Sequence, residues 1–201
     1  DKIRRSDNPF ATALHLAIAG NVIDFGVNGE LTEGEARRII AEAMQESLHG
    51  NVQELLQAVD AADTILYLAD NAGEIIFDRL FIEQLPPGRV TVAVRGGPIL
   101  NDATLADAKM AGLHEMAEII DNGSDAPGTI LNDCSKEFQK RFTEADLVIA
   151  KGQGNFETLS DVPADIFFLL KAKCPVIADY AGLPLGTHAV IRRKAMASVL
   201  E

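Results

Sequence analysis

Residues 64–74 read TILYLADNAGE. Six residues, mostly apolar and β-branched or aromatic, run without alternation into Asp70-Asn71-Ala72-Gly73, and a helix-like stretch, Glu74–Gln84, follows. A continuous apolar strand is one that is buried on both faces. The same order recurs along the chain. RVTVAV (89–94), Glu118–Ile120, LVIA (147–150) and PVIA (175–178) read as further strands. Ala103–Ala111, Ser135–Thr143 and Ala164–Lys171 read as helices between them. Such alternation predicts an α/β fold, a three-layer α/β/α arrangement around a mainly parallel sheet.

Upstream, the rhythm is helical. Pro9–Gly20 is dense in apolar residues, Thr32 and Glu35 have the spacing of a capping box, and Asn51–Ala62 places Val52, Leu55, Leu56 and Val59 on one face. We therefore expect a helical lead-in over residues 1–62, packed on an α/β core over 63–201, the two forming one structural unit. The 201 residues suit a single domain. The chain opens on DKIRRSDNPF rather than on Met, which we read as the start of a piece that other sequence precedes.

Thirty acidic against 18 basic side chains give a formal net charge of −12, and 47% of residues are hydrophobic. That balance opposes a non-specific nucleic-acid binder, which needs a basic surface to displace counterions. It does not oppose an anionic small molecule, because a bound cation reverses the potential inside one cleft. Cys134 and Cys174 form no CxxC pattern, and no apolar run approaches the length of a membrane span. The expectation is a cytoplasmic protein with no membrane or nucleic-acid partner. The sequence does not indicate an oligomeric state.

In open parallel sheets, ligands bind beyond the carboxyl ends of the strands. The predicted strands run into Asp70-Asn71, into Arg95-Gly96-Gly97 with Asn101-Asp102 beyond, into Asp121-Asn122-Gly123-Ser124, and into Lys151-Gly152-Gln153-Gly154-Asn155. Asp70, Asn71 and Asp102 offer two carboxylates and an amide oxygen, a hard set suited to a divalent cation. Each is also a good helix N-cap, so capping is the competing reading. Crowded carboxylates at a sheet switch point repel unless something neutralises them, which favours the metal. The glycines of 152–154 would let backbone N–H groups approach a phosphate, or they simply make a turn. Arg95 is either a second cation for the anion or a salt-bridge partner. Asn21 and Asp24, in GNVIDFGVN, either dip into the cleft or close a helix end.

Other chemistries lack their residues. The four histidines share no zinc spacing, no GxSxG elbow occurs, and the cysteines read as buried small hydrophobes.

Taken together, AGNVIDFG (19–26), LADNAGE (68–74), RGGPILNDAT (95–104), DNGSDAPG (121–128) and KGQGNFETL (151–159) resemble the metal-dependent damage-control phosphatases. That family was formerly a domain of unknown function, and one eukaryotic member is named as an acidic-residue methyltransferase. The resemblance spans essentially the whole chain and points to the prokaryotic branch. It implies that Asp70, Asn71 and Asp102 hold Mn²⁺, Co²⁺, Ni²⁺ or Mg²⁺. It further implies that Lys151 contacts the substrate phosphate and that Gly152, Gln153, Gly154 and Asn155 supply further donors. Asn21 and Asp24 would close the cleft, and Lys171, or alternatively Lys173, would contact substrate. The implied catalytic group is Asp70, Asp102 and Lys151, and the implied substrate is a small phosphorylated metabolite such as a sugar phosphate. The chain departs from prokaryotic relatives in having no CxxC pattern, and from other branches at Gln153 and Glu157.

The expected reaction is phosphomonoester hydrolysis, with a cation-activated water as the simplest nucleophile and Asp70 or Asp121 as alternatives. Two rivals remain at this level. One is a non-catalytic module binding nucleotides or sugar phosphates. The other is an S-adenosylmethionine-dependent carboxyl methyltransferase, disfavoured because Arg95-Gly96-Gly97 stands where a ribose-binding acid is needed.

Overall fold

The computed structural model describes residues 3–20, 34, 37–38, 41–42 and 44–194. Asn21, Asp24 and the Thr32–Glu35 capping-box pair lie outside the described residues. The elements run α1 (Pro9–Gly20), β1 (Leu48–His49), α2 (Val52–Ala61), β2 (Ile65–Leu68), α3 (Ile75–Ile82), β3 (Val90–Val94) and α4 (Leu105–Met110). They continue with β4 (Glu118–Asp121), α5 (Lys136–Glu144), β5 (Leu147–Lys151), α6 (Gly152–Leu159), β6 (Ile166–Lys171), α7 (Pro175–Ala181) and β7 (His188–Arg193).

One sheet holds the strands in the order β1-β7-β6-β5-β2-β3-β4. Every adjacent pair is parallel except β6 and β7. Strand alternation sorts side chains to two faces. Ile65, Tyr67, Val92, Val94, Ile149, Phe167 and Leu169 pack with residues of α1, α2, α3 and α4. Leu66, Leu68, Ala93, Val148, Ala150, Phe168 and Leu170 pack with residues of α5, α6 and α7. These are the three layers that the sequence predicts.

Local chemistry starts the helices where it should. Asn51 accepts from the Glu54 N–H at 3.0 Å, and Ser135 accepts from the Phe138 N–H at 3.1 Å. Thr104 and Asp107 form a capping box at α4.

Two expectations are corrected. The sequence predicts a helix over Ala164–Lys171, yet Ile166–Lys171 is a strand, buried almost throughout between β5 and β7. Leu and Lys favour helices intrinsically, but burial on both faces decides here. The sequence predicts a strand at PVIA (175–178), yet this stretch begins α7. Proline at the first helical position lacks only an N–H that has no partner there, and Gly182, at φ +69°, closes the other end. The strands β1 and β7 have no counterpart in the sequence reading.

Candidate active site

Register assembles the site. Leu68 of β2 pairs with Ala93 of β3 and with Ala150 of β5, so the residues leaving these three strands emerge at one level. The direction of strand connection reverses here: β3 and β4 lie on one side of β2, and β5 on the other. That is the switch point where such sheets bind ligands.

The loops beyond β2 and β3 are then joined by their backbones. Ala103 N–H donates to the Asp70 carbonyl at 2.7 Å, and Ala72 N–H to the Asn101 carbonyl at 2.8 Å. An isolated antiparallel bridge sets Asn71 against Asp102. Asp70, Asn71 and Asp102 are thereby brought together, as the sequence suggests. Neither carboxylate holds an N-cap position, since Glu74 occupies it at α3 and Thr104 at α4. Asn71 Nδ2 donates to Asp70 Oδ2 at 3.0 Å, and Arg95 Nε donates to Asp102 Oδ2 at 2.6 Å. Gly152 has φ +76°, and a Cβ there would sit 1.8 Å from Asp70 Oδ2. Only glycine permits this approach.

Below this surface lies a hub of charge that sequence reasoning missed. Lys151 is fully buried, and its Nζ donates to the Ala17 carbonyl at 2.9 Å, to Asp78 Oδ1 at 2.5 Å and to Glu74 Oε1 at 3.3 Å. Tyr67 donates its hydroxyl to Asp78 Oδ1 at 2.8 Å. Burial pushes Asp70 up to about 8, with Glu74 and Asp102 adding to the rise while Arg95 and Lys151 oppose it. Burial likewise raises Asp78 to about 6 against the pull of Lys151. For Lys151, burial disfavours the charge, yet Asp78 and Glu74 hold its pKa above the usual lysine range. Asp78 did leave a trace in the sequence. It shares the buried face of α3 with Ile75, Phe81 and Ile82, where a solvated acid has no place.

The other predicted residues are placed as follows. Arg95 also donates to Thr129 Oγ1 at 3.1 Å and to Asn155 Oδ1 at 3.4 Å. Asn155 is buried, and its Nδ2 donates to the Ala69 and Lys151 carbonyls. Gln153 accepts from the Lys173 and Cys174 N–H groups, which ties α6 to the start of α7. Gly154 lies against Gly128, where a Cβ would come 3.3 Å from the Gly128 nitrogen. Lys171 stands at the end of β6, paired with Glu46 at 3.1 Å and outside the Asp70 cluster. His15 and His188, far apart in sequence, meet at 3.2 Å. Cys134 is buried, and burial raises its pKa to about 11.

The donor set fits a divalent cation. Asp70, Glu74, Asp78 and Asp102 are four carboxylates shielded from solvent, against two cations, Lys151 and Arg95, which leaves two negative charges when all are ionised. Among the described residues, no three His, Cys, Asp or Glu side chains converge as a metal cluster. The present set reaches three hard donors only by counting the Asn71 amide oxygen.

Comparison with known proteins shows the family. The chain is 42% identical over 191 residues to a damage-control phosphatase of Pyrococcus horikoshii, covering 92% of this chain and 66% of that protein. It is 43% identical over 185 residues to an uncharacterised protein of Methanocaldococcus jannaschii, covering 88% and 60%. It is 40% identical over 189 residues to a damage-control phosphatase of Archaeoglobus fulgidus, covering 92% and 65%. The chain thus spans roughly three fifths to two thirds of the length of these curated relatives. The crystal structure of a DUF89 family protein from Pyrococcus horikoshii superposes with a TM-score of 0.87 at 41% identity, covering 95% of this chain and 68% of that one. The model of the damage-control phosphatase ARMT1-like domain matches residues 1–188, and the chain belongs to that family.

Proposed function

We propose that this chain is a metal-dependent phosphatase that hydrolyses phosphomonoesters of small metabolites, sugar phosphates or related damaged phosphometabolites. The observation that carries this is the excess of buried carboxylate over buried cation where three strands end. The family assignment supports it. Asp70, Asn71 and Asp102 would hold the cation, Mn²⁺, Co²⁺, Ni²⁺ or Mg²⁺. When bound, that ion polarises a phosphoryl oxygen and offsets the charge that develops there.

The chain's own residues do the rest. Arg95 fixes the Asp102 carboxylate, and Gly152 lets Asp70 lie directly beneath the loop. Gly152, Gln153 and Gly154 open α6, and their N–H groups, unpartnered within the helix, favour an anion at that end. A water adds to phosphorus as the P–O bond to the alcohol breaks, giving inorganic phosphate and the free alcohol. Positioning and charge supply most of the rate in such transfers. Asn155 is buried, with its amide spent on Ala69, Lys151, Arg95 and Thr129, so it orders this edge from within. Lys171 and Gln153 flank the edge, and Asn21 and Asp24 follow α1 in sequence; we assign these four to substrate binding and cleft closure. Residues 1–62 and 63–201 act here as one unit, a reading supported by α1 and α2 sharing a core cluster with the strands. A cytoplasmic setting suits the two free cysteines. No described helix is long and apolar enough to cross a membrane.

The test is phosphate release from a panel of sugar phosphates and nucleotides with each metal and with EDTA. Release should need the metal, and Asp70→Ala should lower it by about a thousandfold. A folded chain that binds the metal yet releases no phosphate from any of the panel would overturn the assignment.

A further inference from the structure

We propose that Lys151 is a positioning residue. It holds the end of α1 and the Asp78 carboxylate beneath the site and does not clamp the phosphate. This rests on the phosphatase reading and deepens it.

A lysine ammonium has three donors. All three are used, on Ala17, Asp78 and Glu74, and the side chain is shut off from solvent. None is left for a substrate oxygen. The partners also explain why a cation is needed at this point. Ala17 lies in the last described turn of α1, and its carbonyl accepts from the Lys151 ammonium. Asp78 belongs to α3 and is gripped from β2 by Tyr67. One ammonium at the end of β5 therefore joins α1, α3 and, through Asp78, β2.

Two routes carry this order to the acids proposed to bind the metal. The Lys151 carbonyl accepts from Asn155 Nδ2 at 2.7 Å, Asn155 Oδ1 accepts from Arg95, and Arg95 holds Asp102. Next in the chain is Gly152, on which Asp70 lies. At the other end, a Cβ on Gly20 would come 2.7 Å from the Phe77 ring, so the end of α1 packs directly on α3.

Asp78 and Tyr67 make the test decisive, because both are fully buried and neither can reach a substrate. Asp78→Asn and Tyr67→Phe should lower kcat, Asp78→Asn by about tenfold, while KM and the inhibition constant of inorganic phosphate stay within about twofold. Hydrogen exchange over residues 10–20 should quicken in Asp78→Asn, and isothermal titration with Mn²⁺ should show weaker binding. Lys151→Met strands two buried carboxylates and is best made together with Asp78→Asn, a pair in which the same split is expected. Unchanged kcat and unchanged exchange in Asp78→Asn would overturn the proposal. So would a Lys151 variant that raises KM and the phosphate inhibition constant together while α1 exchange stays normal. Exchange and Mn²⁺ titration need no turnover, so they judge the positioning role even if the phosphatase reading fails.

Discussion

At the carboxyl ends of β2, β3 and β5, Lys151, Glu74 and Asp78 are sealed from water, and each charge on Lys151 and Arg95 is matched by named acceptors. At the amino ends of the same strands, Arg141 and Glu118 pair at 2.9 Å with side chains 40% and 49% exposed. Between Thr64, Arg89, Thr91, His114 and Arg141 that far end also holds an open cleft of about 440 Å³. Its charges, however, are solvated surface pairs of the kind that contribute little. What separates the two ends is desolvation. Of these two ends, the carboxyl edge is the one that forces like charges together in a medium that makes their repulsion costly, and there a cation would restore the balance.

The sharpest way to break this contrast is Gly152→Ala. The new Cβ would enter the space of Asp70 Oδ2 from a left-handed backbone conformation. We expect a loss of about 3 kcal/mol of stability, read by urea unfolding, and about a hundredfold loss of phosphate release. Native stability and activity in Gly152→Ala would mean that the loop does not rest on Asp70.

A smaller effect should appear at the flank of the same edge. His188 is buried beside Glu46, Lys171 and His15, and burial pushes its pKa down to about 4, with Glu46 opposing and Lys171 and His15 assisting. The folded pKa lies below the unfolded value of about 6.5, so the unfolded chain takes up a proton that the folded chain refuses. Stability from this group is therefore lost as pH falls from about 7 towards 4. Asp70 and Asp78, with raised pKa values, push the other way over an overlapping range, so the readout is a difference. The melting temperature of the native chain should fall relative to that of His188→Gln as pH drops through this window. Parallel curves would show that His188 takes up its proton equally in the folded and unfolded chains, against the shift that burial imposes.

The smallest effect is expected at the amino ends. Arg141→Ala should change stability by less than about 1 kcal/mol and leave phosphate release unaltered. Lost activity there would erase the distinction between the ends.

How much of this was legible in the sequence follows the same physics. TILYLA, RVTVAV and LVIA announce buried parallel strands because both faces are apolar; Asp70-Asn71 stands out because it follows such a strand directly, and Asp102 because it lies in the loop after the next one. ADIFFLLK and PVIADYA misled because intrinsic propensity opposed context: the first is buried between two strands, and the second begins with a proline that suits a helix start. The hub under the site was hidden for a different reason. Lys151 meets Ala17, 134 positions away, and Asp78, 73 positions away, so no spacing rule connects them. A lysine before a glycine turn reads as a phosphate contact until its partners are seen.

The most direct measurement is a crystal of this chain soaked with Mn²⁺ and inorganic phosphate, with the metal located by its anomalous signal. One strong peak bounded by Asp70, Asn71 and Asp102 is expected, with phosphate beside the start of α6 and away from the Lys151 ammonium. A peak in the cleft at the amino ends of the strands, or none near Asp70, would contradict the assignment of the site to the carboxyl edge.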